Sequence, residues 1–142
     1  MDLKPQVDAV MPRVHELRWQ IHQHPELSLQ EEQTAALVER ELMDVGLIPE
    51  RFANTGVVAV LKGGKPGRAI ALRADMDALP LPELTGSKYC SQVNGVMHAC
   101  GHDVHTAILL GVARLLVAIR EHLPGNVKFI FQPAEENNPT GG

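Results

Sequence analysis

Residues 96–105 read VMHACGHDVH, so three histidines, one cysteine and one aspartate fall within eight positions. Cys100 and His102 are two apart. In an extended or irregular stretch both side chains would leave the same side of the backbone. A thiolate and an imidazole placed that way can close on one transition-metal ion. Two ligands are too few for such an ion, and the adjacent carboxylates of Glu135 and Glu136, in FQPAEE at residues 131–136, are the natural suppliers of more. Neighbouring side chains of an extended segment point opposite ways. One carboxylate can therefore bind metal while the other faces the water beside it as general base, taking its proton and later handing it to the leaving group.

A third cluster, RADMDALP at residues 73–80, places Asp75 and Asp77 after Arg73. Either aspartate could bind metal directly or accept the N–H of a liganding histidine and fix its tautomer; Arg73 could pair with one of them. His98 and His105 flank the Cys–His pair, and the alternatives for both are a place beside the ligands or facing substrate, or a plain loop or helix-start role. His15, His22, His24 and His122 have no local partner that singles them out. A Cys100–His nucleophilic pair is the competing chemistry for the same residues.

These clusters need elements to hold them. Residues 3–22 carry Val7, Val10, Met11, Val14, Leu17 and Ile21 at spacings of three and four, which predicts a helix with an early break at Pro12. Ser28 and Glu31 are spaced as a capping box for a second helix, which runs to Gly46. Residues 57–61 and 69–72, separated by Gly63-Gly64-Lys65-Pro66-Gly67, predict a hairpin. A long stretch from 74 to 104 lacks periodicity, and loops of that length inside a domain are usually functional. Residues 106–121 predict a largely buried helix, and 127–131 an apolar strand. Strand, loop, helix and strand in that order predict an α/β fold with a partly parallel, mixed sheet. Ligands of such sheets bind beyond the carboxyl ends of the strands, where RADMD and QPAEE both fall.

Length and composition fit one globular domain: 142 residues, 44% hydrophobic and 21% charged. A net charge of −4 without a basic run argues against nucleic-acid or anionic-membrane partners. The N-terminus lacks the pattern of a signal peptide and no stretch is long enough for a membrane span, so a cytoplasmic setting is expected. In that setting Cys90 and Cys100 are expected as free thiols rather than a disulfide. The flexible-looking residues 137–142 follow directly on the last cluster, so a truncated domain is expected.

Four segments occur in order: HQHPELS at 22–28, ALRADMDALP at 71–80, GVMHACGHDVHTAILLG at 95–111 and FQPAEE at 131–136. Together they resemble the M20 metallopeptidase-like amidohydrolases, in the branch of hippurate hydrolases, N-acyl-amino-acid amidohydrolases and auxin-conjugate hydrolases. The resemblance runs from about residue 10 to the end of the chain. It implies an α/β/α sandwich catalytic domain, interrupted in the family by a smaller domain that often mediates dimerisation. By resemblance, residues 1–142 are the N-terminal part of that catalytic domain, and the inserted domain and the C-terminal half are absent. The resemblance makes Cys100, His102 and Glu136 metal ligands and Glu135 the general base. It makes Asp75 the aspartate supporting a liganding group and gives Asp77 no equally clear role. Two divalent ions, manganese or zinc, and hydrolysis of the amide in N-acyl amino acids or related conjugates are implied, with a dimer or higher oligomer for the full-length form. Val104 stands where many relatives carry glycine, and the family completes its metal site with histidines from later in the chain. Little turnover and weak metal binding are therefore expected of these residues alone. The alternatives are a non-catalytic metal-binding or assembly fragment, and a carboxypeptidase or deacetylase of the same superfamily.

Overall fold

The computed structural model describes residues 2–137, so most of the tail expected to be flexible, 138–142, lies outside the described residues. Three helices, α1 (Lys4–Gln23), α2 (Glu32–Asp44) and α3 (His102–Ala118), accompany four strands. These are β1 (Glu50–Phe52), β2 (Gly56–Lys62), β3 (Ile70–Asp75) and β4 (Asn126–Gln132). The sheet is mixed, in the order β1-β2-β4-β3, with β2 antiparallel and β3 parallel to β4.

Along β2 and β4, Val57, Ala59, Leu61, Val127, Phe129 and Phe131 are buried and join Leu17, Ile21, Val38, Leu42 and Leu110 of the helices in one core. The intervening Val58, Val60, Lys128 and Ile130 stay partly or fully exposed, so the described helices cover one face of the sheet. The α/β class is borne out, and two of the expected sandwich's three layers lie among the described residues.

The predicted hairpin does not form. β4 inserts between β2 and β3, because the glycine-rich 63–67 segment is no tight turn but packs against the 120–125 turn instead. Gly63 N donates to Gly125 O at 3.0 Å and Gly64 N to Arg120 O at 2.8 Å. A Cβ on Gly63 would collide with the Gly125 carbonyl oxygen, so glycine serves close approach here.

Helix α1 runs unbroken through Pro12. Pro12 and the Asp8 carbonyl it leaves unpaired lie on the solvent side, while Val14, Leu17 and Ile21 anchor the other side. Gly111 lets α1 lie close on α3, since a Cβ there would strike Val14.

The Ser28–Glu31 capping box is also absent. Glu26 caps α2, its carboxylate accepting from Gln33 N at 3.0 Å and Thr34 N at 2.8 Å. Ser28 and Glu31 are thereby free for long-range contacts. Helix α3 begins at His102, four residues earlier than expected, and its C-terminal half is only partly buried. Since β3 and β4 run parallel, Asp75 and Gln132 are paired neighbours, and both chemical clusters emerge at one end of the sheet.

Candidate metal centre

His102 is the first residue of α3, preceded by Gly101 in the left-handed region at φ +82°. Cys100 and His102 therefore straddle a sharp turn into a helix rather than an extended stretch. The His102 imidazole is buried, and its Nδ1 lies 2.9 Å from the Asp77 carbonyl oxygen and 3.2 Å from Asp77 Oδ1. A carbonyl can only accept, so Nδ1 carries a hydrogen and Nε2 is the ring nitrogen left to bind a cation once it gives up any proton. Around Nε2 stand Asp75 Oδ1 at 3.6 Å, Glu136 Oε1 at 3.8 Å and Glu135 Oε2 at 3.9 Å. These carboxylates come from the ends of β3 and β4.

Asp77 is a hub. Besides His102, it accepts from Ser28 Oγ at 2.6 Å and from the Glu136 backbone N–H at 2.9 Å. Burial opposes its ionisation, but these donors outweigh burial and hold its carboxyl well below the usual range. The histidine-supporting contact expected of Asp75 is thus made by Asp77. Asp75 instead bonds His105 Nδ1 at 2.7 Å and Arg73 at 2.8 Å, so the expected Arg73 pairing is present.

The donor set fits a divalent cation. His102, Glu135 and Glu136 each bring one ligand atom within 4.8 Å of the others, as do Asp75, His102 and His105. Ligand atoms on a tetrahedral zinc stand about 3.3–3.6 Å apart, so small side-chain movements would close the first group on an ion. Cys100 falls in neither group, but the neighbouring carboxylate of Glu136, partial desolvation and the charges of Glu135 and Asp77 push its thiol up to about 11. For His102, burial favours the neutral ring, but the Asp77 contacts and the Asp75 charge outweigh it and raise its pKa. Both shifts express one fact: the negative charge here calls for positive charge, which a metal ion supplies while releasing protons from the ligands. Cys90 and Cys100 are free thiols.

Of two residues behind the centre, His22 escaped the sequence reading, whereas a place beside the ligands or facing substrate is one of the alternatives expected for His98. His22 bonds the buried Asp103 through Nδ1 at 2.9 Å and Glu83 through Nε2 at 3.3 Å, tying α1 to the start of α3 and to the long loop. The signal was its place in the HQHPELS segment; its partners lie 61 and 81 residues away. His98 lies beneath the loop with both ring nitrogens buried and unpartnered among the described residues, and burial pushes it down to about 4.

Carboxylates and an imidazole gathered beyond the carboxyl ends of parallel strands define a candidate metallohydrolase centre. Residues 71–142 match the model of peptidase family M20/M25/M40. The chain is 46% identical over 142 residues to thermostable carboxypeptidase 1 of Saccharolobus solfataricus, covering 99% of this chain and 36% of that protein. It is 47% identical over 141 residues to the N-acyl-L-amino acid amidohydrolase of Geobacillus stearothermophilus, covering 99% and 38%. Among solved structures, the YXEP protein of Bacillus subtilis, a dinuclear metal binding peptidase from the M20 family, superposes with a TM-score of 0.86 at 46% identity. That match covers 91% of this chain and 36% of YXEP. The chain belongs to the M20 family of metal-dependent hydrolases. It spans little more than a third of the length of these relatives.

Proposed function

We propose that this chain is the N-terminal part of the catalytic domain of a metal-dependent amidohydrolase that cleaves the amide of N-acyl amino acids or related conjugates. The observation that carries the reading is His102 Nε2 facing three carboxylate oxygens at 3.6–3.9 Å, with Nδ1 held by Asp77. Cys100, His102 and Glu136 would hold metal, with further ligands from outside these residues and two ions, manganese or zinc, in the complete site. When bound, the ions supply Lewis-acid polarisation of the scissile carbonyl and acidify the attacking water.

The remaining work falls to side chains. Glu135, the more exposed of the pair, takes the proton of the attacking water at Oε2 and returns it to the departing amide nitrogen. Asp77 keeps His102 in the tautomer that leaves Nε2 free. Asp75, with its second oxygen on Arg73, adds negative charge beside Nε2 and orients His105 at the mouth of the site.

β3 ends the described sheet, and its Ile70 is 56% exposed. A further strand from the second catalytic half would cover that edge; separately, the inserted smaller domain that the resemblance implies would make the full-length form a dimer or higher oligomer. A cytoplasmic setting, which keeps Cys100 reduced, goes with this reading.

The test joins this chain to the remainder of the Geobacillus amidohydrolase. The chimera is expected to hydrolyse N-acetyl amino acids with Zn²⁺ or Mn²⁺ and to lose that activity on Glu135→Gln, while the 142 residues alone show little turnover and hold metal weakly. A folded, metal-loaded chimera that leaves N-acyl amino acids intact and releases C-terminal residues from peptides would replace this reading by the carboxypeptidase one, favoured by the 46% identity to such an enzyme.

A further inference from the structure

Glu31 lies just ahead of α2, fully buried, and it carries no cationic partner in the hydrogen bonds it makes. Each of its carboxylate oxygens takes one donor. Thr55 Oγ1 donates to Oε2 at 2.6 Å, and the Ala134 backbone N–H, 103 residues along the chain, donates to Oε1 at 2.8 Å. Ala134 is itself buried and sits at φ +56°, the left-handed region that a residue bearing a Cβ adopts only at a cost. Two residues on, the Glu136 N–H donates to Asp77 at 2.9 Å. Buried carboxylates therefore grip the 134–136 turn at both ends. Between the grips, Glu135 and Glu136 reach to within 3.9 and 3.8 Å of His102 Nε2.

We propose that Glu31 is a positioning residue: by anchoring the Ala134 N–H it locks the left-handed turn that aims Glu135 and Glu136 at His102. This rests on the reading that Glu135 and Glu136 serve the metal centre. A side chain at this position that only filled space would need no acceptor. An apolar chain of the same length would pack there without the desolvation cost of a carboxylate. What the carboxylate adds is two directed hydrogen bonds, and one of them fixes the strained residue beside the general base. The substitution Glu31→Gln could keep that bond, the amide carbonyl accepting from Ala134 while the amide NH₂ donates to a reoriented Thr55 hydroxyl. Glu31→Met would fill the space but could not accept.

The experiment combines Zn²⁺ titration with amide NMR on the 142-residue chain and its E31Q, E31M and E31M/A134G variants. E31M is expected to weaken Zn²⁺ binding by about ten- to hundredfold, the range for losing a group that orients a ligand. E31Q should stay near the parent affinity while the Ala134 amide proton resonance moves. A134G added to E31M should recover most of the lost affinity without restoring the melting temperature, because glycine adopts the left-handed turn unaided. An E31M protein that binds Zn²⁺ like the parent, or an E31M/A134G protein that recovers nothing, would overturn the proposal. Should E31M fail to fold, amide exchange in the parent decides: Ala134 N–H is expected to be protected, and exchange as fast as an exposed amide would sink the clamp. Glu136→Gln is measured alongside. If it leaves Zn²⁺ affinity unchanged, the metal-centre reading fails on its own account, while the Ala134 amide still reports on the clamp.

Discussion

Two charged clusters lie on opposite terms with the rest of this chain. Behind the sheet, Glu41 of α2 has a side chain only 3% exposed and is met by two guanidiniums, Arg13 of α1 and Arg114 of α3. Their hydrogen bonds and charges overcome burial and hold the Glu41 carboxyl below its usual range. At the strand ends, Asp75, Asp77, Glu135 and Glu136 crowd around His102, and among the described residues the one arginine in ion-pair contact with them is Arg73, on Asp75. The back cluster is neutralised by its own chain and joins three helices. The front cluster leaves negative charge for something the chain does not carry. Charge that only holds a fold together is paired internally, whereas charge left uncompensated at strand ends marks where a cation belongs.

The sharpest way to break this contrast is to disarm the front without disturbing its ligands. Glu135→Gln in the active chimera is expected to lower hydrolysis of N-acetyl amino acids by about 10²–10⁴-fold, with Zn²⁺ affinity retained; equal losses of both would mean Glu135 is a ligand. Asp77→Asn should weaken Zn²⁺ binding by about ten- to hundredfold, read by calorimetry on the chain itself.

At the back, Arg13→Ala and Arg114→Ala should each cost about 1–2 kcal/mol in urea unfolding, less than a wholly buried pair because both guanidiniums reach solvent. Neither should alter Zn²⁺ affinity. The two clusters should respond oppositely to loss of a charge: Glu136→Gln is expected to raise the melting temperature of the metal-free chain, whereas Glu41→Gln should lower it.

The smallest effect is the pH dependence at the back. Because the folded-state pKa of Glu41 lies below its unfolded value of 4.5, its stabilisation is complete above that value. It is lost as pH falls through the lower folded value. Urea unfolding at neutral and acid pH should show that loss in the parent and a flatter response in Glu41→Gln.

The same contrast explains what could be read from the sequence. Spacing within a few residues was enough to bring out the Cys100–His102 pair, the Glu135–Glu136 pair and the strand ends that carry the acidic clusters. Both chemical segments do emerge side by side. What spacing misled on were the residues with two plausible uses. Ser28 and Glu31 have capping-box spacing, but Glu26 takes the cap and the pair reaches across the fold to Asp77 and Ala134. The hairpin failed for a related reason: glycines that permit a turn also permit close packing of backbones, and only the position of β4 decides between them. Asp75 and Asp77 share one local environment in sequence. It is the entry of α3 that separates them, setting His102 with Nδ1 beside Asp77 and Nε2 toward Asp75.

The most direct test of the front cluster as a cation site is the melting temperature of the metal-free chain with and without saturating Zn²⁺. The account predicts a rise on adding Zn²⁺ that disappears in His102→Ala and persists in Arg114→Ala. A parent chain that does not respond to Zn²⁺, or a rise that survives His102→Ala, would contradict it.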